Sequence, residues 1–326
     1  MSNNIKELVE EVWIVGAGLM GKEYAKVLKN MNVKLKLIGR NQENANKVSA
    51  ELGIPVYCGG ISNYLENSTY IPSNVIVAVN LEELATTTMT LLKAGIKSIL
   101  VEKPAGLYTN DIKNIVLMAE KEKAEVFVGY NRRFYSSVLK AREIIANDSG
   151  VKSIHFEFTE WSHTISKLQK PKKVLEKWFM GNSTHVIDLA FYLSGRPKEF
   201  SSFKSGSINW HPDGSIFVGS GVTEKNVLFS YHANWEAPGR WGLEVLTSKH
   251  RLIFKPLEEL HIQKIGSIEI TKYDLEDKID KEYKPGLYRQ VNAFLNKDGK
   301  KGLLPINEHF INFTEIFTKM LMGVNE

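Results

Sequence analysis

Several features are scarce in this sequence of 326 residues, and each absence excludes a class of protein. Only one cysteine is present, Cys58, so no disulfide can form within the chain and a disulfide-stabilised secreted scaffold is excluded. No apolar run approaches the ~18 residues that a membrane-spanning helix needs. The segment Met1–Glu11 is polar and acidic, without the basic start and apolar stretch of a signal peptide. We therefore expect a cytoplasmic protein that has no membrane partner.

A large excess of charge of one sign is also absent. Lys and Arg number 42 against 37 Asp and Glu, a net charge of +5, and no long Lys/Arg tract indicates a nucleic-acid surface. We find no internal repeat and no low-complexity segment, and we predict no metal site and no nucleic-acid partner. Hydrophobic residues make up 43% and charged residues 24%, which is typical of a globular protein with a sizeable core. At roughly 150 residues per domain, the length predicts two domains.

The first 128 residues alternate between two hydrophobic patterns. Val12–Val15 is a short apolar run that ends at a glycine cluster, and the apolar residues from Met20 to Met31 recur with helical spacing. Further strand patterns are Val33–Ile38, Val75–Val79, Ile99–Val101 and Val126–Val128. Further helical patterns are Gln42–Leu52, Leu84–Ala94 and Ile112–Lys123. Strands that alternate with helices predict a doubly wound α/β domain with a parallel sheet over residues 1–128.

From residue 129 onward the apolar runs are short, several of them alternate, and polar or Gly- and Pro-containing turns separate them. The predicted strands are Ile154–Phe158, Ser215–Val218, Val227–Tyr231, Gly242–Leu246, Arg251–Phe254, Leu260–Gln263 and Ser267–Thr271. Helical patterns at Pro285–Asn296 and Pro305–Met322 end the chain. We predict that residues 129–326 form an α+β domain whose open, largely antiparallel sheet has one covered and one free face.

A glycine-rich loop joins the first predicted strand to the first predicted helix. Gly16-Ala17-Gly18-Leu19-Met20-Gly21 matches the pattern G-x-G-x-x-G in the strand–loop–helix context that binds a dinucleotide. Gly16 permits the tight turn, Gly18 lets a pyrophosphate approach the backbone, and Gly21 lets helix and strand pack closely. The helix start at Leu19 and Met20 offers backbone N–H groups to the phosphates. The alternative is a glycine turn that binds no ligand.

The residue after the second predicted strand bears on the choice between NAD and NADP. NAD sites usually have Asp or Glu about 20 residues past the loop, where it holds the ribose 2′-hydroxyl. This sequence has Gly39-Arg40-Asn41 instead, and a guanidinium can pair with a 2′-phosphate and stack on adenine. We therefore predict NADP(H) in preference to NAD(H), with Arg40 and Asn41 as contacts. The alternative is a solvated arginine at the start of a helix.

Lys103 follows a strand at the edge where parallel sheets bind their ligands. The pattern Ser98–Val101 runs directly into Glu102-Lys103-Pro104, so this lysine comes after the carboxyl end of a predicted parallel strand. Doubly wound sheets bind ligands in the crevice outside these strand ends. A lysine in that position can serve as an acid–base group or as a hydrogen-bond donor.

A second candidate for proton transfer lies at a predicted helix start. Ser183 or Thr184 is expected to cap a helix that runs from His185 to Leu193 and ends at Gly195. A histidine titrates near neutrality, which suits an acid–base role, and an ordinary helix-start histidine is the alternative. Asp188, three residues further on, is expected either to orient the imidazole or to make a structural hydrogen bond.

Together these motifs resemble the Gfo/Idh/MocA oxidoreductases, a family named for glucose–fructose oxidoreductase and inositol dehydrogenase. The quoted motifs are the glycine loop, Glu102-Lys103-Pro104, Asn131-Arg132-Arg133-Phe134 and Gly181-Asn182-Ser183-Thr184-His185. The resemblance implies an N-terminal Rossmann domain for NAD(P), a C-terminal sugar-binding domain, and a homodimer or homotetramer formed through the open sheet. It also implies that Lys103 and His185 are the acid–base groups of a hydride transfer between nicotinamide and a hydroxyl or keto carbon.

The resemblance further suggests contact residues for both ligands, and this chain departs from the family at two of the positions. The additional cofactor contacts are Asn80, Glu102, Lys103 and Trp178. The substrate contacts are Asn131, Arg132, Asn182 and Arg240. Asn80 stands where many members have a histidine, and Gly181 stands where many have the aspartate of a Lys–Asp–His triad. The incomplete triad counts against an inositol dehydrogenase and favours the sugar-modifying or nucleotide-sugar branches, with Asn182 replacing part of the lost polar group.

Two segments and the exact activity stay open at this point. Five lysines from Lys167 to Lys177 either attract a phosphorylated or nucleotide-linked sugar or form a solvated loop. The segment Trp235–Trp241 belongs either to a sugar or diphosphate site or to a hairpin turn capped by sheet aromatics. The activity is that of an NADP(H)-dependent sugar dehydrogenase or reductase, of redox-assisted glycoside cleavage with retained NAD, or of a dinucleotide-sensing or sugar-sensing regulator. The presence of both Lys103 and His185 counts against the regulator.

Overall fold

A computed structural model describes residues 11–296 and 300–323, and these residues divide into two compact units. The first unit contains the described residues up to Asn131 together with those of Ile279–Phe310. The second contains Arg132–Lys278 and the described residues from Ile311 onward. Residues 1–10, to which the signal-peptide prediction applies, lie outside the described residues.

The two units contain fifteen strands and thirteen α-helices among their described residues. The strands are β1 (Val12–Val15), β2 (Leu35–Ile38), β3 (Val56–Tyr57), β4 (Asn74–Val77), β5 (Ser98–Glu102), β6 (Glu125–Gly129), β7 (Ser153–Glu157), β8 (Pro197–Ser205), β9 (Ile216–Thr223), β10 (Leu228–Asn234), β11 (Gly242–Leu246), β12 (His250–Phe254), β13 (His261–Lys264), β14 (Ile270–Lys272) and β15 (Leu304–Pro305). The helices are α1 (Leu19–Asn30), α2 (Gln42–Leu52), α3 (Gly60–Glu66), α4 (Leu84–Lys93), α5 (Thr109–Glu122), α6 (Ser136–Asn147), α7 (Ser162–Ile165), α8 (Lys172–Leu175), α9 (Thr184–Ser194), α10 (Lys278–Glu282), α11 (Leu287–Leu295), α12 (Ile306–Asn312) and α13 (Thr318–Met322). None of the helices in these residues is long and apolar enough to cross a membrane.

The first unit is built on a seven-stranded sheet in the order β15-β6-β5-β4-β1-β2-β3. All neighbouring strands are parallel except β15, which runs antiparallel to β6. The residues of β1 are at most 3% exposed, which is typical of a parallel strand that is covered on both faces. The strand order reverses between β1 and β4, and this reversal opens a crevice at the carboxyl ends of the strands. The predicted doubly wound Rossmann fold is confirmed.

The C-terminal part of the chain returns to the first unit, which differs from the prediction of one domain over residues 129–326. α11 packs against α1, and β15 adds an edge strand through the pairing of Leu304 with Val128. The ring of Phe294 on α11 also contacts Phe127 of β6, with centroids 6.5 Å apart. A helical pattern shows that one face of a segment is apolar, but it does not show which sheet buries that face.

The second unit is built on an eight-stranded sheet in the order β14-β13-β12-β11-β7-β10-β9-β8. Every pair is antiparallel except β7 and β10, which run parallel. α9 packs on one face, where its Phe191 contacts the buried Phe156 of β7. Phe203, Val218 and Leu228 project from the other face and are 54%, 37% and 64% exposed. The predicted open, largely antiparallel sheet is confirmed.

Candidate functional site

Gly16 and Gly21 occupy positions in which any side chain would collide with the backbone. Gly16 has φ +116°, and a Cβ there would lie 2.3 Å from the carbonyl oxygen of Ala78. A Cβ at Gly21 would lie 1.7 Å from the carbonyl oxygen of Gly16. The tight turn and the close packing of α1 on β1 therefore both require glycine. An added Cβ at Gly18 would meet no atom of residues 11–296 or 300–323 within 4 Å, so among these residues the space beside it is open to a ligand.

A pocket of about 490 Å³ lies at the carboxyl ends of β1, β2 and β4 in the first unit. Five of the predicted cofactor residues line it: Gly16, Gly18, Arg40, Asn41 and Asn80. The other predicted loop residues lie outside its lining: Leu19, Met20 and Gly21. The volume is that of a small-molecule site, and the place, at the reversal of strand order, is where this fold binds nucleotides.

Arg40 is held by a carboxylate that no sequence motif indicates. Its Nη1 atom donates to Oε1 of Glu83, the last residue of the 3₁₀ turn after β4, and both residues line the pocket. Asn41 is the N-cap of α2, and its side chain accepts a 2.9 Å hydrogen bond from the backbone N–H of Asn44. The two alternatives for Arg40 are a contact to a 2′-phosphate and a solvated arginine at the start of a helix, and neither includes the ion pair with Glu83.

Glu102 ends β5, and Lys103 follows it outside the lining of the pocket. The Tyr24 hydroxyl of α1 donates a 2.6 Å hydrogen bond to Oε1 of Glu102. Burial raises the pKa of the Glu102 carboxyl group, and it also raises the pKa of Tyr24 well above its ordinary value. The Lys103–Pro104 peptide bond is cis, and the Pro104 carbonyl oxygen lies 2.9 Å from Nε2 of His309. Both chain neighbours of Lys103, Glu102 and Pro104, are thus held by contacts to other elements of the first unit.

In the second unit, the helix of His185 starts differently from the prediction. A π-helical turn, Phe179–Ser183, runs directly into α9, and no side chain caps the helix. The Ser183 hydroxyl donates to Glu160 (2.9 Å), and the Thr184 hydroxyl donates to a main-chain carbonyl oxygen one turn earlier (2.9 Å). The predicted capping role of these two residues is wrong, because both hydroxyls have other acceptors. The predicted end of the helix at Gly195 is confirmed, since this glycine is the C-terminal cap.

His185 lies in the first turn of α9 and is 5% exposed. Its imidazole packs against the indole of Trp241, with ring centroids 6.1 Å apart. Asp188, one turn further along, accepts hydrogen bonds from Nε (2.7 Å) and Nη2 (2.6 Å) of Arg133, and both side chains are buried. Of the two roles expected for Asp188, the structure therefore contains the structural hydrogen bond.

Glu160, which sequence reasoning missed, is a buried carboxylate beside the helix of His185. It is 1% exposed and accepts hydrogen bonds from Ser183 Oγ (2.9 Å) and Asn182 Nδ2 (3.0 Å). Nη1 of Arg240 lies 3.5 Å from its Oε2 atom. Burial raises the pKa of Glu160, and the two hydrogen bonds and the guanidinium oppose that shift. The residue follows β7 in no recognisable motif, so no signal in the sequence singles it out.

Arg240 lies between two indole rings. Its guanidinium carbon is 4.6 Å from the ring centroid of Trp161 and 4.6 Å from that of Trp241. The guanidinium of Arg132 lies 4.7 Å from the same Trp241 ring. Three of the predicted substrate residues therefore belong to one cluster: Arg132, Asn182 and Arg240. Asn131 belongs instead to the first unit, where its side-chain amide donates to the carbonyl oxygen of Pro285 (2.8 Å).

Three other predicted features belong to the second unit. The lysines from Lys167 to Lys173 are exposed, and Lys177, which is half-buried, lies 3.6 Å from Asp213. Trp235 is buried and stacks on Trp210 at 5.5 Å with an interplanar angle of 4°, so it belongs to the core. Trp178, predicted as a cofactor contact, meets the same Trp210 edge-on at 6.2 Å. No group of His, Cys, Asp and Glu side chains in the described part of the chain could hold a metal ion.

The glycine loop and the pocket at the strand reversal define the first unit as a dinucleotide-binding Rossmann domain. Residues 11–130 match the model of the Gfo/Idh/MocA family, described as an oxidoreductase family with an NAD-binding Rossmann fold. The match confirms, over these residues, the resemblance that the sequence motifs carry.

Solved structures extend the likeness to the whole fold. A candidate NADPH-dependent oxidoreductase from Desulfitobacterium hafniense is 16% identical, with a TM-score of 0.78 over 97% of this chain and 95% of that one. The UDP-N-acetylglucosamine 3-dehydrogenase GnnA from Acidithiobacillus ferrooxidans is 16% identical, with a TM-score of 0.74 over 96% and 97%. The WlbA dehydrogenase from Chromobacterium violaceum, in complex with NADH and UDP-GlcNAcA, is 13% identical, with a TM-score of 0.72 over 97% and 94%. No curated protein matches the chain by sequence.

Proposed function

We propose that this oxidoreductase acts on a hydroxyl or keto carbon of a sugar or nucleotide sugar, with NAD(P) as its cofactor. The observation that supports it most directly is the 490 Å³ pocket at the strand reversal, where the glycine loop leaves open space beside Gly18. Gly16, Gly18, Arg40, Asn41 and Asn80 would hold the dinucleotide. When bound, the nicotinamide accepts or supplies the hydride of the reaction.

For the cofactor, we propose NADP(H) in preference to NAD(H). Arg40 is the single Lys or Arg among the described residues that line the pocket, and a guanidinium is the side chain that best pairs with a 2′-phosphate. Titrations of the protein with NADPH and with NADH, followed by nucleotide fluorescence, test the preference. Equal or tighter binding of NADH would reject it.

We propose Lys103 and His185 as the acid–base groups of the reaction. Lys103 follows the carboxyl end of β5, and His185 is a buried residue that packs against an indole at the start of α9. Oxidation of a secondary alcohol requires removal of the hydroxyl proton, and the reverse reaction requires its return. Lysine and histidine side chains can both carry that proton at neutral pH.

Lys103→Ala tests this assignment. We expect kcat to fall by orders of magnitude, about 10²–10⁴-fold for the loss of a general acid–base group, while NADPH binding is largely retained. Lys113→Ala is the matched control, because Lys113 is an exposed lysine on α5 of the same unit. Unchanged turnover in Lys103→Ala would show that the site is assigned wrongly. His185→Ala is measured in the same assay.

For the substrate, the aromatic and charged cluster of the second unit supports a sugar or nucleotide sugar. Trp161, Trp241 and Arg240 offer ring faces and a guanidinium, which are the groups that bind sugar rings and diphosphates. GnnA and WlbA, which share the fold, are dehydrogenases whose names or ligands include UDP-sugars. A fluorescence screen of the NADPH-loaded protein against UDP-sugars and free sugars tests the proposal. Consumption of NADPH with a ketosugar, or formation of NADPH when the protein is supplied with NADP⁺ and a sugar that carries the corresponding hydroxyl, would identify a substrate.

We also propose a cytoplasmic location, which the single cysteine supports. We further propose that the protein is a homo-oligomer, either a dimer or a tetramer. Phe203, Val218 and Leu228 lie on the free face of the second sheet, where Phe203 and Val218 are cross-strand partners. Exposed apolar side chains that share one face are typical of an interface. Leu228→Asp is expected to shift the sedimentation coefficient toward that of a monomer, and a wild-type protein that sediments as a monomer would reject the oligomer.

A further inference from the structure

The ion pair between Arg40 and Glu83 joins the two loops that border the nucleotide pocket. Arg40 follows β2, whereas Glu83 ends the 3₁₀ turn that follows β4. Both line the pocket, and their side chains meet through Nη1 and Oε1. The residue that favours a 2′-phosphate is thus bound to a carboxylate that lines the same pocket.

The charges around the pocket do not favour an extra anion as strongly as Arg40 alone suggests. Among the described lining residues the ionisable side chains are one cation, Arg40, and two carboxylates, Glu82 and Glu83, which sum to 1 − 2 = −1. The Arg40 and Glu83 side chains are 69% and 37% exposed, so water surrounds the pair. Solvated ion pairs contribute little to stability, and this one can exchange its partner for a ligand at small cost.

We propose that Glu83 sets the selectivity between NADP(H) and NAD(H) by competing with the 2′-phosphate for the guanidinium of Arg40. A phosphate monoester carries about −1.5 to −2 charges near neutral pH, so its binding requires Arg40 to release the carboxylate. The released carboxylate stays at the pocket border and repels the phosphate. A 2′-hydroxyl carries no charge, so NAD(H) can bind without release of the carboxylate from Arg40 and without repulsion by it. This inference rests on the proposed function, because it assumes that the pocket binds a nicotinamide dinucleotide.

Glu83→Gln tests the competition directly, because the amide keeps the shape of the side chain and removes its charge. Dissociation constants for NADPH and NADH are measured by nucleotide fluorescence for the wild type and the variant. We expect the Kd for NADPH to fall about three- to tenfold, the Kd for NADH to change less than about twofold, and the difference to shrink at high salt. Glu82→Gln is the matched control, since it removes the same charge from the same lining without removing the contact to Arg40. Its effect on the NADPH Kd is expected to be less than half as large.

A double-mutant cycle with Arg40→Ala separates competition from simple repulsion. If Glu83 acts through Arg40, Glu83→Gln improves NADPH binding more in the wild-type background than in Arg40→Ala, where only the direct repulsion is left to remove. The inference is overturned if the improvement is the same in both backgrounds, if Glu82→Gln matches it, or if the ratio of the two Kd values does not change. A wild-type protein that binds neither nucleotide would instead reject the proposed function itself, so the two failures are distinguishable.

Discussion

The buried carboxylate of Glu160 allows a prediction whose size follows from its contacts. In Glu160→Ala the Ser183 hydroxyl, which is fully buried, and the half-buried Asn182 amide both lose their acceptor. Each buried polar group left without a partner lowers the free energy of unfolding by about 1–3 kcal/mol. Part of this loss is offset, because the alanine variant no longer buries a carboxylate. We expect the free energy of unfolding of the second unit to fall by about 2–4 kcal/mol.

Glu160→Gln separates the hydrogen bonds from the charge. The amide keeps an acceptor for Ser183, and what it loses is the charge opposite Arg240, whose side chain is 42% exposed. A solvated partner contributes about 0–1 kcal/mol, so the glutamine variant is expected to lose no more than about 1 kcal/mol. Glu244→Ala is the control, because its carboxylate pairs with Arg251 at a partly exposed position and the expected loss is of the same small size.

Urea unfolding followed by tryptophan fluorescence measures these differences. Five of the six tryptophans belong to the second unit, so the signal reports mainly on the unit that contains Glu160. Midpoints and slopes are compared between variants, since a chain of two units need not unfold in one step. Equal losses in Glu160→Ala and Glu160→Gln would refute the hydrogen-bond argument, and no loss in Glu160→Ala would refute the structural role.

The pH dependence gives an independent check on Glu160. Because burial raises its pKa, the native state holds the proton more tightly than the unfolded state does. The free energy of unfolding of the wild type therefore decreases as the pH rises from 4.5, the ordinary value, through the raised native pKa. Glu160→Gln lacks this titration, so its stability relative to the wild type should increase over the same interval. A relative stability that is flat with pH would contradict the raised pKa.

Three further predictions concern other parts of the chain. Gly16→Ala should abolish NADPH binding and destabilise the first unit, because a Cβ at Gly16 would collide with the backbone. Gly18→Ala should weaken NADPH binding and leave the melting temperature unchanged, because a Cβ there would meet no such obstacle. Asp188→Ala removes two hydrogen bonds to the buried guanidinium of Arg133 and the charge that pairs with it, and the free energy of unfolding in urea should fall by about 3–5 kcal/mol. The pKa of Asp148 is lowered, because hydrogen bonds from the β11–β12 turn outweigh the opposing effect of burial. The wild type should therefore lose stability as the pH falls below 3.8 through the lowered pKa, and Asp148→Asn should not show this loss in an acid titration.

The strands that sequence patterns predict best are those covered on both faces. β1, β4 and β5 are almost continuous apolar runs, because each side of such a strand meets a packed layer. β3 and β15 have two residues each, too few to make a pattern, and β8 alternates its apolar residues with serine, lysine and glutamate. No layer among the described residues of the unit packs on its open face, so polar residues are tolerated there. Pattern strength therefore follows burial, and the two-residue strands and β8 are missed.

The site residues show a related limit. Gly16 and Lys103 could be singled out from the sequence, because each has a fixed offset from a strand end. Glu83 and Glu160 could not, because each acts through contacts between segments that are distant in the sequence: Glu83 lies 43 residues from Arg40, and Glu160 lies 23 residues from Ser183. A motif records local spacing, whereas these carboxylates acquire their surroundings only when the chain folds.

Two of the three arginines that the sequence assigns to ligands, Arg40 and Arg240, are each paired with one of these missed carboxylates. Arg40 meets Glu83, and Arg240 meets Glu160. The positive charge that a phosphate would encounter is therefore smaller than the sequence positions of these arginines suggest. The two pairs differ in burial, since Glu83 is 37% exposed and Glu160 only 1%. A solvated carboxylate can be displaced by a ligand, but a buried one with two further donors cannot leave. Hence a change at Glu83 is expected to alter ligand selectivity, and a change at Glu160 is expected to alter stability first.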